Sequence, residues 1–239
     1  MKRTRPSLLL AFLTAGVLLS ACEFSLAADI TPPPGAVQPS PMATDQPVSS
    51  GPIYPLASPD PANGEAIYAE KCAACHGPQG RGDGPQASNL PNPVTPLGQK
   101  EVARQATLAG WYRVVTQGNL ERYMPPFTSL SEGQRWDVVA YAFTLSTTQA
   151  ELEQGQALYQ ANCAACHGET GKGDGPQAAG LPAPPRAFND HAIMAERSAQ
   201  DLYQVILNGA QGMPGFAGQI SEPEAWSLAA YTRSLTFAA

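Results

Sequence analysis

Apolar residues recur with helical spacing in two places that read almost alike. Val138, Tyr141 and Leu145 stand at i, i+3 and i+7, and so do Leu228, Tyr231 and Leu235. A capping box precedes each stripe, Ser131-x-x-Gln134 in one and Ser221-x-x-Glu224 in the other. Such a box supplies acceptors for the first free backbone N–H groups of a helix. Upstream lies a second apolar patch in each half, with Leu108, Trp111 and Val115, then Leu202, Val205 and Ile206. A third helix is expected ahead of these, capped in the first half by Asp60 with Pro61 at the first helical position. The intervening stretches are rich in Gly and Pro and read as loops. No alternating run of useful length appears, so the pattern predicts an all-α chain in two similar halves.

The halves are related by an offset of 91 residues. Gly80-Arg-Gly-Asp83-Gly-Pro85-Gln86-Ala87 matches Gly171-Lys-Gly-Asp174-Gly-Pro176-Gln177-Ala178, and Leu90-Pro91 matches Leu181-Pro182. Trp136, Tyr141 and Leu145 match Trp226, Tyr231 and Leu235 at an offset of 90. That period is too long for a solenoid, so it marks a duplicated domain, expected over residues 61–148 and 149–239. A domain of this size is near the lower limit for a self-sufficient core.

The duplicated stretch that carries chemistry is Cys72-Ala-Ala-Cys75-His76, repeated as Cys163-Ala-Ala-Cys166-His167. C-x-x-C-H is the attachment motif of a c-type haem. Two cysteines three apart can each form a thioether to one porphyrin vinyl group, and the following histidine can ligate the iron. Disulfides within each pair give no reason for the histidine. A zinc site built from both pairs leaves two histidines unexplained and needs two distant loops to converge. Two covalent haem c groups are therefore expected, held by Cys72, Cys75, Cys163 and Cys166, with His76 and His167 on the irons.

A sixth ligand is needed if the iron only carries electrons. Met124 in Met-Pro-Pro-Phe127 and Met213 in Met-Pro-Gly-Phe216 stand at matching places. A thioether is a soft, neutral ligand that favours reduced iron, and the proline stiffens the loop. The alternative reading of a lone methionine is core filler. His191 is the one histidine outside the motifs and aligns with Lys100. It reads as a loop histidine, with ligation of the second haem as the alternative.

The N-terminus reads as a targeting segment. Lys2, Arg3 and Arg5 precede an apolar run at 8–19 that is too short to span a bilayer comfortably. Leu19-Ser20-Ala21-Cys22 resembles a bacterial lipobox, so residues 1–21 are read as a lipoprotein signal peptide and Cys22 as the lipidated residue. A secretory signal with a chance cysteine is the alternative. Residues 22–60 carry Pro32, Pro33, Pro34, Pro39, Pro41, Pro47, Pro52, Pro55 and Pro59 and read as a tether. Removing residues 1–21 takes three bases and no acid, which moves the net charge from −6 to −9. That balance argues against nucleic acid as a partner and permits docking to a basic patch on a redox protein.

Each repeat resembles a class I cytochrome c domain, with C-x-x-C-H near its start, a Met-Pro loop and a closing helix bearing an aromatic residue. The G-x-G-D-G-P stretch is similar to the cytochrome c6 and cbb3-oxidase-subunit branch of that family. The resemblance covers roughly residues 61–239. It implies an all-α fold around each haem, and contacts of Tyr68 with Tyr141 and of Tyr159 with Tyr231 where the terminal helices cross. The expected function is a membrane-anchored dihaem carrier that passes single electrons between respiratory or photosynthetic partners. Expected donors are a quinol-oxidising complex or a dehydrogenase, and expected acceptors a terminal oxidase or a reaction centre. The location expected is the extracytoplasmic, periplasmic side of a bacterial membrane. The alternatives are a dihaem enzyme of peroxidase or thiosulfate-oxidising type, and a bound haem subunit of a larger oxidoreductase.

Overall fold

A computed structural model describes residues 53–237. The signal peptide, Cys22 and most of the proposed tether lie outside them. The described residues contain helices and no strand. The first repeat runs α1 (Pro61–Lys71), α2 (Ala73–His76), α3 (Lys100–Gln105), α4 (Leu108–Gln117) and α5 (Glu132–Thr144). The second runs α6 (Gln149–Asn162), α7 (Ala164–His167), α8 (His191–Met194), α9 (Ala199–Asn208) and α10 (Glu222–Ser234). None of these helices is long and apolar enough to cross a membrane.

The helix starts follow the side-chain chemistry. Asp60 accepts from Ala62 N ahead of α1, and both capping boxes read from the sequence are formed, at Ser131 and at Ser221. Two more boxes open α6, at Thr148 with Glu151, and α9, at Ser198 with Asp201. The expected three helices per repeat become five, because the C-x-x-C-H stretch and the segments at 100–105 and 191–194 each wind into short helices of their own.

In each repeat the first and last helices cross at a glycine. A Cβ on Gly64 would lie 2.0 Å from Asp137 O, and one on Gly155 would lie 2.1 Å from Ser227 O. That close approach brings the paired tyrosines together. Tyr68 and Tyr141 have ring centroids 5.3 Å apart, as do Tyr159 and Tyr231, within the range of favourable aromatic pairs. Behind the crossing, Tyr112 stacks on Trp136 and Tyr203 on Trp226.

The two repeats pack on each other with like parts of each in contact. The Arg104 guanidinium lies 3.8 Å over the Trp226 ring, while Ala195, one repeat-length from Arg104, packs in the cluster that holds Trp136. Arg233 lies 4.6 Å over Phe143, the residue it matches at the offset of 90. It is buried, and it donates to Ala103 O, Ala106 O and Arg197 O at 3.3–3.5 Å. Lys100 pairs with Glu151 and Arg113 with Glu196, so the first repeat supplies the cations and the second the carboxylates. Ala109 N donates to Ala195 O at 2.8 Å. The four-residue join between α5 and α6, residues 145–148, leaves orientation open in the sequence; these contacts close it.

The last residues before α1 belong to this body. Pro55 is fully buried, and Ile53 and Tyr54 pack against the first repeat's cluster around Leu108 and Trp136. His191 holds them there. Its Nδ1 lies 3.1 Å from Pro55 O and its Nε2 lies 3.2 Å from Thr236 O. Both ring nitrogens face protein carbonyls, so the structure gives His191 a packing role and no free nitrogen for iron. Met194, beside it, is buried core.

Candidate functional site

Each C-x-x-C-H stretch is one turn of helix wrapped by the Gly-rich loop behind it. The last carbonyls of a short helix lack intrahelical donors, and the loop supplies them. Gly82 N donates to His76 O, Gly84 N to Cys75 O and Gln86 N to Ala74 O, at 2.8–3.2 Å. Gly173, Gly175 and Gln177 do the same for His167, Cys166 and Ala165. The loop must come this close: a Cβ on Gly84 would stand 2.4 Å from Ala74 O. Gly77 ends the turn at φ 76°, a conformation that costs glycine nothing. The tyrosine of the preceding helix locks the same point, with Tyr68 OH donating to Gly77 O at 3.0 Å and Tyr159 OH to Gly168 O at 2.7 Å. Burial pushes both phenols above their ordinary range, so both donate.

The histidines are oriented by the backbone. His76 Nδ1 lies 3.1 Å from Thr95 O, and His167 Nδ1 lies 3.1 Å from Arg186 O. A carbonyl can only accept, so Nδ1 carries the proton and Nε2 is left free as a ligand. Burial lowers the pKa of both rings, only partly offset by those bonds, and so favours the neutral imidazole that binds metal. In the second repeat Phe188 stacks on His167 at 4.8 Å; the matching position in the first is Leu97, which packs on the cluster around Tyr68.

The four motif cysteines are unpaired thiols, which removes the disulfide reading. Burial pushes Cys72 up to about 12 and Cys163 up to about 11, so neither is held as a thiolate. Among the described residues no group of three or more Cys, His, Asp or Glu gathers as a metal cage, so the motif pairs do not converge as a zinc site would require.

The methionines sit in pinned loops. Asn119 and Met124 exchange both backbone bonds at 2.7 and 3.0 Å, and Ala210 and Met213 do so at 3.2 and 2.8 Å. Phe127 N then donates to Val115 O, and Phe216 N to Ile206 O, which fastens each loop to the middle helix. The loop approaches the histidine side of the site in the first repeat, where Arg122 Nη1 lies 3.4 Å from Thr95 Oγ1. Met124 and Met213 are themselves half-buried.

The fit to a porphyrin is read from what lines this space. Cys72, Leu97, Trp111, Val115 and Phe127 surround the first repeat's cluster and are only half-covered by protein. Phe188, Leu202 and Ile220 are the half-covered apolar residues packed around the cluster that holds Cys163. Each repeat therefore carries two thiols, an imidazole with Nε2 free and half-covered apolar side chains packed around its first cysteine, a set that suits a covalently held, iron-bearing apolar disc. The carbonyls of Thr95 and Arg186 are parts of the site that sequence reasoning missed. Their contribution is main-chain, so no side-chain signal marks them.

The sequence model of the family described as cytochrome c oxidase, cbb3-type, subunit III matches residues 59–141 and again 150–231. The chain belongs to this family. It is 30% identical over 191 residues to the cbb3-type cytochrome c oxidase subunit CcoP of Azospirillum brasilense, covering 73% of this chain and 61% of that one. It is 31% identical over 183 residues to subunit FixPc of Rhizobium leguminosarum bv. viciae, covering 73% and 60%. A cytochrome bc1 complex cytochrome c subunit of Corynebacterium diphtheriae is 35% identical over 86 residues, covering 36% and 27%. The chain spans about three fifths of the length of the cbb3-type relatives it matches. Two tandem cytochrome c-type domains, each with a covalent haem c, are thus its architecture.

Proposed function

We propose that this chain is a membrane-anchored dihaem electron carrier. Cys72 and Cys75 hold one porphyrin through thioethers and Cys163 and Cys166 the other. His76 with Met124, and His167 with Met213, would ligate the two irons. The haem supplies the one-electron iron couple; the protein orients the imidazole, presents the thioether and keeps water from the apolar wall. With two protein ligands on each iron there is no open position for a substrate, which separates a carrier from a dihaem enzyme. The observation that carries the reading is the duplicated constellation, an Nδ1-anchored histidine beside paired free thiols and a pinned Met-Pro loop.

The partners proposed are a quinol-oxidising complex or dehydrogenase as donor and a terminal oxidase or reaction centre as acceptor. Lipidation at Cys22 holds the chain on the extracytoplasmic side of a bacterial membrane. The names of the cbb3-type relatives favour one form of this reading, in which the chain is the bound haem subunit of an oxidase. Extraction in mild detergent separates the two forms: co-purification with larger subunits supports the bound subunit, and release of a lone chain supports the mobile carrier.

The ligand assignment is tested by Met124→Ala and Met213→Ala. Each should leave both haems attached, turn one of them high-spin and lower its potential. An unchanged spectrum removes that methionine from the iron. Rapid carbon monoxide binding by the reduced wild-type protein would instead favour an enzyme. Cys22→Ser should free the protein from membranes, and retention would refute the anchor.

A further inference from the structure

The two methionine loops differ in a way that the duplication does not explain. The second reads Gly209-Ala-Gln211-Gly212-Met213, and the first is two residues longer, Gly118-Asn119-Leu120-Glu121-Arg122-Tyr123-Met124. The longer loop forms a turn of 3-10 helix at Leu120–Arg122. That turn lifts two large apolar side chains into solvent directly before the candidate ligand: Leu120 is 74% exposed and Tyr123 is 59% exposed. Neither belongs to a buried cluster. The residues next to Met213 are Gln211 and Gly212.

Tyr123 also sits in the left-handed region, at φ 61° and ψ 23°. A bulky residue there is strained in a way that Gly, and largely Asn, is not. The second repeat puts Gly212, at φ 91°, at the same place before its methionine, and the left-handed side chain one position earlier, Gln211 at φ 45°, is polar. An aromatic ring kept in strained backbone and turned to water, where the duplicate loop carries only a glutamine and a glycine, is not accounted for by packing. Strain of this kind gathers at binding sites.

Charge indicates what the ring meets. Residues 61–148 carry seven acids and seven bases, whereas residues 149–239 carry nine acids and four bases. Glu121 and Arg122, between the two apolar side chains, cancel as well. A partner with a basic face would be drawn to the second repeat, so the first repeat matches a face without net charge. We propose that Leu120 and Tyr123 form the docking surface through which the first haem exchanges electrons with a redox protein that presents an apolar, charge-balanced face. This rests on the reading of Met124 as an iron ligand, since that is what puts the patch beside the redox centre. A contact built on two side chains suits the small interface of a transient redox encounter, and tyrosine is a favoured anchor in such interfaces.

The test uses the full-length protein in membranes of the cells that make it. The haems are reduced through the native quinol, and their oxidation after an oxygen pulse is followed by absorbance at low and at high salt. The paired change Leu120→Ser with Tyr123→Asn should slow the exchange about tenfold, the loss expected on removing an interface anchor. The haem spectrum and both potentials should stay as in wild type. The unfolding midpoint should not fall, because asparagine tolerates the left-handed conformation better than tyrosine. The wild-type rate should change little with salt, since an apolar contact is not screened. Gln211→Asn, at the matching loop, should leave the rate unaltered. A rate for the double variant within about twofold of wild type overturns the proposal. So does an equal loss in Gln211→Asn, a steep salt dependence in wild type, or a changed haem spectrum in the double variant, which would place these side chains against the porphyrin. The separate Met124→Ala spectrum tells failure of the ligand reading apart from failure of the docking surface.

Discussion

Replacing Gly64 by alanine should loosen the first repeat more than its single methyl group suggests. The new Cβ would stand 2.0 Å from Asp137 O, 2.6 Å from that carbonyl carbon and 2.8 Å from Tyr141 Cβ. Nonbonded carbon contacts are favourable at about 3.5–4.0 Å, and the obstacle is backbone, so α1 or α5 has to move. Overpacking of this kind costs about 1–3 kcal/mol. Alanine returns up to about 1 kcal/mol through its better helix propensity. A 2.0 Å approach to backbone calls for the upper end of that range, so the net loss is about 2 kcal/mol, which for a body of this size lowers the unfolding midpoint by roughly 4–8 °C. Gly133→Ala on α5 is the control, since nothing lies within 4 Å of its Cβ, and it should gain roughly 0.5 kcal/mol. Thermal unfolding followed by far-ultraviolet circular dichroism and by haem absorbance reads both variants. The haem signal should shift as well, because α1 leads directly into Cys72 and carries the Tyr68 bond to Gly77 O. A Gly64→Ala protein as stable as Gly133→Ala would refute the close crossing and the account of how Tyr68 is positioned.

Arg233→Met should weaken the join between repeats by about 2–3 kcal/mol, because one buried and two part-buried carbonyls lose their donor. Calorimetry should show one transition splitting towards two, and Arg233→Lys should not restore it, lacking the planar fork. Acid should act on the same join through Glu151. Burial raises its pKa, but hydrogen bonds from Lys100 and Thr148 outweigh that and hold it below the usual carboxylate range. The stabilisation is therefore full above the unfolded pKa near 4.5 and is lost as pH falls through the lower folded value. Denaturation at stepped pH should show stability dropping below about pH 4.5, with part of the drop absent in Glu151→Gln.

Much of this protein was legible in its residue order because its chemistry is local. The two C-x-x-C-H stretches, the capping residues Asp60, Ser131 and Ser221, and the helical period of the closing stripes each act over a few positions. A bond between near neighbours depends on little except which residues they are, so all-α architecture, duplication and haem attachment could be read directly. The Thr148 and Ser198 boxes were equally local, and their spacing held the signal.

Only the folded chain decided what depends on distant partners. His191 closes on Pro55 O and Thr236 O, and Arg233 reaches carbonyls of Ala103 and Ala106 across the repeat boundary. Nothing in the neighbours of either residue points to those acceptors. The carbonyls of Thr95 and Arg186 that fix the imidazoles are backbone atoms present at every position, so residue identity carries no mark of them. The relative placement of the repeats follows the same logic: duplication makes the two faces alike, but their packing is settled by Arg104 on Trp226 and Arg233 on Phe143, pairs that exist only after both halves have folded.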